Sequence, residues 1–227
     1  RAFMECKGDT GLIKQQEFYD KYVRRAKERV VVIISDAFRF EVGQTLLKRL
    51  MEDEKCIASI DTMQSVLPSY TRFGMSALLP HRKLSMSREF NVLVDGKICD
   101  NLNSREQVLQ SFVPNSRTVQ FDDIKTMKIA ELKEIFSGQE VVYVYHNQID
   151  ARGDKLNTEN EVFTACEEAV EEIHTMIKRL TSANNIRFII TADHGFIYKR
   201  DKLVESDKIS GFDRENAFVG RRYVIAS

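Results

Sequence analysis

Thr71, four aspartates and two histidines stand where this sequence could do chemistry. Asp36 follows the apolar run Val30–Ile34, His146 and Asp150 follow Val141–Tyr145, and Asp193-His194-Gly195 follows Ile186–Thr191. Asp154 lies just behind Asp150. Thr71 sits in the turn Pro68-Ser-Tyr-Thr71, after residues 57–66. Carboxylates mixed with imidazole are hard and borderline donors that suit zinc or manganese. Such ions, one or two of them, would polarise a phosphate and lower the pKa of a hydroxyl held beside them. Arg39, Arg72 and Arg152 lie within a few residues of these positions and could grip phosphate oxygens in bidentate fashion.

Each residue alone has a plainer reading. An aspartate after a strand is as often a helix N-cap as a ligand, and this holds for Asp36. Asp193-His194-Gly195 could be an ordinary turn, Thr71 a helix cap, and Asp150 and Asp154 solvated loop carboxylates. His81, after Pro80 in a polar stretch, and His174, inside a helical pattern, read as structural. The functional reading rests on convergence, because the same kinds of residue recur just past four candidate strands.

The elements that would position them follow from hydrophobic period. Val30–Ile34 and Glu140–Tyr145 are continuous apolar runs, as expected of strands buried on both faces. Residues 57–66 read as a further strand, as do Arg117–Phe121 and Ile186–Thr191. Helical spacing is read at 15–29, from Phe38 through Leu50, at 71–79 and at 126–136. A long helix carries Val162, Cys166, Ala169, Ile173, Met176 and Leu180 as its stripe, opened by a capping box of Thr158 and Glu161. Strands alternating with helices predict an α/β fold with a mainly parallel sheet sandwiched by helices. In such sheets ligands bind beyond the carboxyl ends of the strands, where the residues above collect. Residues 81–116 are least regular and read as a small insertion with a hairpin at 91–98; residues 1–29 read as a leading helical segment and 30–227 as the core.

Bulk composition narrows the class. The chain has 227 residues, 43% hydrophobic and 30% charged, enough for one sizeable core. Thirty-four basic residues balance 34 acidic ones, so charge gives no sign of a general nucleic-acid or membrane-surface binder. The four cysteines form no C-x-x-C pair, which argues against a zinc ribbon or a secreted disulfide framework. No apolar run approaches the roughly 20 residues a spanning helix needs. No signal-peptide pattern follows Arg1, and Arg222–Ser227 reads as a strand still running. The expectation is a piece of a longer cytoplasmic protein, not associated with a membrane.

Three runs carry a resemblance. Asp36-Ala-Phe-Arg-Phe-Glu41, Tyr145-His-Asn-Gln-Ile-Asp-Ala-Arg-Gly-Asp154 and Ile190-Thr-Ala-Asp-His-Gly-Phe-Ile-Tyr198, with the Pro-Ser-Tyr-Thr-Arg run ending at Arg72, resemble the PglZ domain of BREX phage-defence systems, within the alkaline phosphatase superfamily. The resemblance implies a metal-dependent phosphohydrolase with Thr71 as nucleophile and one ion held by Asp36, Asp193, His194 and Thr71. It implies a second ion at Asp150 and Asp154, where an aspartate stands in place of the superfamily's usual histidine. A later histidine ligand would be expected in a His-Gly-Gly segment beyond Ser227, so the second site is expected to be incomplete. His146 could substitute as a ligand or support one. Zinc is the implied metal, with manganese or magnesium as alternatives. A phosphorylated substrate, a nucleotide or a nucleic-acid phosphoester, and other BREX proteins are the implied partners. The competing implication is a catalytically weak scaffold that mediates interactions in a defence complex.

Overall fold

In the computed structural model, residues 10–153, 161–196, 217–219 and 223–226 are described. The centre is a four-stranded parallel sheet built from Val30–Ser35 (β1), Ser116–Gln120 (β2), Val141–His146 (β3) and Phe188–Thr191 (β4), in the order β2-β3-β1-β4. β1 and β3 are buried along their whole length, as their unbroken apolar sequence requires of strands covered on both faces.

Alternate residues serve opposite layers. Val31, Ile33, Val142 and Val144 pack with Leu46 of helix Phe40–Met51, Leu132 and Phe136 of helix Ile129–Phe136, and the stripe of helix Val162–Ser182. Val30, Val32, Ile34, Tyr143 and Tyr145 face Phe18, Tyr19, Val23, Met75, Leu78, Leu79, Val108 and Leu109. Each large aliphatic side chain so buried contributes about 1.5–3 kcal/mol relative to exposure. All six stripe residues of the long helix are buried. His174 on the same helix is buried too, and burial pushes its imidazole below the usual range. The helix begins at Val162 with no side-chain cap from Glu161; Thr158 lies outside the described residues.

Register sets the level of the sheet's edge. Ser35 pairs with His146, Ile34 with Thr191, and Gln120 with Tyr145. The carboxyl ends of the four strands therefore finish together, and the residues that follow them emerge at one edge.

Three expectations need correction. Residues 15–29 do not form one helix: Gln15–Glu17 is a 3-10 turn and Tyr19–Val23 a π-helical turn. Phe18, Tyr19 and Val23 are buried as predicted, so the spacing identified the inward face but not the backbone hydrogen-bond period. Residues 57–66 contribute only Met63–Gln64, which pairs with Ile13–Lys14 outside the central sheet, and Ile57 is fully exposed. The stretch read as least regular is ordered by short-range pairing. Leu84–Met86, Val92–Val94 and Lys97–Ile98 form an antiparallel sheet that includes the expected hairpin, and helix Leu102–Phe112 follows. Val224–Ala226 is a strand, paired with Ala217–Val219. Among the described residues no helix is long and apolar enough to cross a membrane.

Candidate metal centre

Asp36 emerges from β1 with its N–H donated to the His146 carbonyl of β3 (2.8 Å). The next residue, Ala37, has φ 61°, a left-handed conformation that costs a non-glycine residue on the order of 1 kcal/mol or more. That fold-back lets the Ala37 N–H donate to Asp193 Oδ1 at 3.3 Å. Asp193 itself follows β4. Thr71 opens the short helix Thr71–Ala77, as the spacing predicts, but no strand of the central sheet precedes it, so two strand ends, of β1 and β4, and one helix start converge, not four strand ends. Two contacts hold that helix in place. Tyr143 Oη donates to the Leu78 carbonyl (2.9 Å). Gly74 lies against Asp193 so closely that a β-carbon would come within 2.1 Å of the Asp193 carbonyl oxygen; only glycine permits that approach.

The result is a tight cluster. Thr71 Oγ lies 3.0 Å from His194 Nε2, which is 3.2 Å from Asp36 Oδ1 and 3.5 Å from Asp193 Oδ2. One donor atom from each of Asp36, Asp193 and His194 falls within 4.8 Å of the others. Both aspartates are buried; Asp193 Oδ2 accepts no hydrogen bond, and Asp36 Oδ1 accepts one only when His194 Nε2 carries a proton. Buried carboxylate oxygens in that condition are unfavourable unless positive charge compensates them. Burial, then the Asp36 charge, hold the Asp193 carboxyl well above the usual range. Burial alone would lower His194, but the hydrogen bond to Asp36 and the Asp193 charge prevail and raise it to about 9. His194 Nδ1 donates to the Gly195 carbonyl (2.7 Å), which leaves Nε2 of the neutral ring as a free lone pair aimed at the cluster. Two unpartnered carboxylate oxygens, one imidazole nitrogen fixed from behind by a carbonyl and an adjacent hydroxyl form a donor set that fits zinc or manganese.

The other expected site residues lie around this group or outside the described residues. Asp150, half-buried in helix Gln148–Gly153, stands outside this ligand group, and Asp154 lies outside the described residues. His146 offers the cluster neither ring nitrogen: Nδ1 bonds Ser35 Oγ (2.9 Å) and Nε2 bonds Glu172 Oε2 (3.0 Å). It supports the edge from below. Arg39 is held by Glu41 (Nη2–Oε1 2.5 Å) and lies over the Phe196 ring. Arg152 pairs with Glu168 at 2.5 Å. Arg72 is exposed and lines a small cleft with Ser76, Asn91 and Asp100. His81 Nδ1 is bonded to the Leu79 carbonyl.

Sequence reading missed Gly74 and Gln15. A glycine inside a predicted helix is a signal of close backbone approach. For Gln15, no local pattern marks a contact to residues 177 and 178 positions away.

Residues 16–227 match the family model described as the BREX system PglZ alkaline phosphatase-like domain. The chain is 40% identical over 223 residues to "Alkaline phosphatase-like protein PglZ" of Bacillus cereus (strain H3081.97), covering 96% of this chain and 26% of that protein. It is 34% identical over 206 residues to "Alkaline phosphatase-like protein BrxZ" of Escherichia coli O9:H4 (strain HS), covering 87% of this chain and 24% of that protein. The chain thus spans about a quarter of the length of these curated relatives.

Proposed function

The chain belongs to the PglZ family of alkaline phosphatase-like domains, and on that premise we propose that it carries a metal-dependent phosphohydrolase site acting on phosphomonoesters or phosphodiesters in bacterial anti-phage defence. The observation that carries this reading is the position of Thr71 Oγ, 3.0 Å from His194 Nε2 at the edge of the Asp36–Asp193–His194 cluster.

Asp36, Asp193 and His194 would hold the cation, with Thr71 beside it. A cation bound there supplies a lowered hydroxyl pKa and charge stabilisation at phosphorus. A threonine hydroxyl is a poor nucleophile without such activation or an adjacent base. Thr71 Oγ attacks phosphorus, the ester oxygen leaves opposite it, and phosphothreonine forms. Water then hydrolyses that ester and returns the hydroxyl. Gly74, through its contact with Asp193, keeps Thr71 at attacking distance; such positioning is a large part of phosphoryl-transfer catalysis. Arg72, exposed and next in sequence, is suited to grip non-bridging oxygens. Other BREX proteins and a nucleotide or nucleic-acid phosphoester are the proposed partners and substrate, in the cytoplasm.

The test is hydrolysis of bis(p-nitrophenyl) phosphate and p-nitrophenyl phosphate by the intact protein, titrated with zinc or manganese after chelation. Turnover that appears with metal supports the reading. Metal binding without turnover on any phosphoester would favour an interaction scaffold.

A further inference from the structure

Gln15 is almost fully buried, at 2% exposure, and every hydrogen-bonding position of its carboxamide is used. Nε2 donates to the Asp193 carbonyl at 2.6 Å and to the Ala192 carbonyl at 3.1 Å. Oε1 accepts from the Val66 N–H at 3.1 Å and from Ser65 Oγ at 3.4 Å. One side of the amide therefore holds the loop that carries Asp193 and His194. The other side holds the segment that runs through Pro68 into Thr71.

The register explains how a residue so early in the chain reaches this position. Ile13–Lys14 pairs in parallel with Met63–Gln64, so Gln15, which opens the 3-10 turn directly after that ladder, has its side chain beside Ser65 and Val66. The Asp193 carbonyl is then fixed from two directions, by the Gln15 amide and by the close face of Gly74. The family match begins at residue 16, one position after this contact.

We infer that Gln15 is a positioning residue of the proposed site: it ties the backbone of the ligand loop to the approach of the nucleophile turn, so that Asp193, His194 and Thr71 keep a fixed mutual geometry. This rests on the metal-centre reading above. The rival role is purely structural, a buried amide that satisfies two loop carbonyls with no bearing on the ligands.

The two roles separate in the intact protein carrying Gln15→Met, which keeps side-chain bulk, or Gln15→Glu, which keeps the acceptor for Val66 but removes the N–H donors at neutral pH. Zinc affinity is measured by competition with a chelating dye. The visible spectrum of the cobalt(II)-loaded protein reports ligand geometry, and thermal melting of metal-free protein reports stability. Both variants are expected to lose about tenfold or more in zinc affinity, the scale seen when support behind a ligand is removed, and to shift the cobalt spectrum. Ser65→Ala, which removes only the weakest of the four bonds, should stay near wild type. Wild-type affinity and spectrum in both variants would overturn the inference, as would affinity losses that merely track losses in melting temperature. If the wild type binds no zinc, or Asp36→Ala binds it equally well, the metal-centre reading itself fails and the inference falls with it.

Discussion

Gly74 and Asp193 touch backbone to backbone: a β-carbon at position 74 would sit 2.1 Å from the Asp193 carbonyl oxygen and 2.6 Å from its carbonyl carbon. Neither atom is the far end of a flexible side chain, so the clash must be relieved by moving the helix or the ligand loop. Gly74→Ala should cost about 1–3 kcal/mol, as overpacking does in close-packed interiors, read as a lower urea midpoint. It should also lower kcat beyond any loss of folded protein, because the displaced helix carries Thr71 away from His194. Wild-type stability and turnover in Gly74→Ala would show that the contact does not constrain the site.

Asp193 is built for function at the expense of stability. It is fully buried, Oδ2 accepts no hydrogen bond, and its carboxyl is held well above the usual range by burial and by Asp36. Asp36 and Asp193 place two buried carboxyls beside one imidazole, so Asp193→Asn, which relieves the cost of the second carboxyl and leaves Asp36 to pair with His194, should stabilise the metal-free protein by about 1–2 kcal/mol. The same change should weaken zinc binding severely. Thermal melts with and without zinc test both halves, and a destabilised metal-free Asp193→Asn would refute the account of its environment.

The pH dependence has opposite signs in the two forms of the protein. Metal-free, His194 is raised from its ordinary value to about 9. Its stabilising contribution is complete below the unfolded value of about 6.5 and is lost as pH rises through about 9. Asp193, also raised, acts in the same direction. Zinc needs the unprotonated imidazole and carboxylates, so its affinity should rise across this window and loading should release protons. Melting curves between pH 6 and 10 should show metal-free stability falling while the stabilisation added by zinc grows.

His146 supports the site without joining it. Ser35 and Glu172 occupy its two ring nitrogens, and the Phe121 ring lies edge-on at 4.5 Å. His146→Ala should destabilise the fold by about 2–4 kcal/mol through a cavity and an unpaired Ser35 hydroxyl. The folded fraction should still bind zinc, whereas Asp36→Ala should not. Zinc content per folded chain distinguishes the two.

Much of this site could be read from the sequence because its ligands follow strands whose composition is unambiguous. Val30–Ile34 and Val141–Tyr145 are continuous apolar runs within strands buried along their length, and the stripe at Val162–Leu180 has one helical period. The parallel α/β sheet and the grouping of Asp36, Asp193 and His194 follow from strands of this kind, whereas the sequence predicts Thr71 after a strand at 57–66 that the sheet does not contain. What local pattern could not show depends on distant contacts. The loose alternation of residues 57–66 leaves Ile57 in solvent and pairs two residues with Ile13–Lys14. Tyr19 and its neighbours wind as 3-10 and π turns while they pack on the sheet face and Phe112. Gln15 meets Asp193 across 178 positions.

The central claim is that Thr71 Oγ is the nucleophile of a metal-dependent site. The most direct measurement compares hydrolysis of bis(p-nitrophenyl) phosphate by the zinc-loaded intact protein with that of Thr71→Ala, Thr71→Ser and Ser69→Ala. Thr71→Ala should lose turnover by a factor of about 10³ or more while keeping its fold and the zinc held by Asp36, Asp193 and His194. Thr71→Ser should retain part of the activity, and Ser69→Ala most of it. Hydrolysis that survives in Thr71→Ala and disappears in Ser69→Ala would contradict the account.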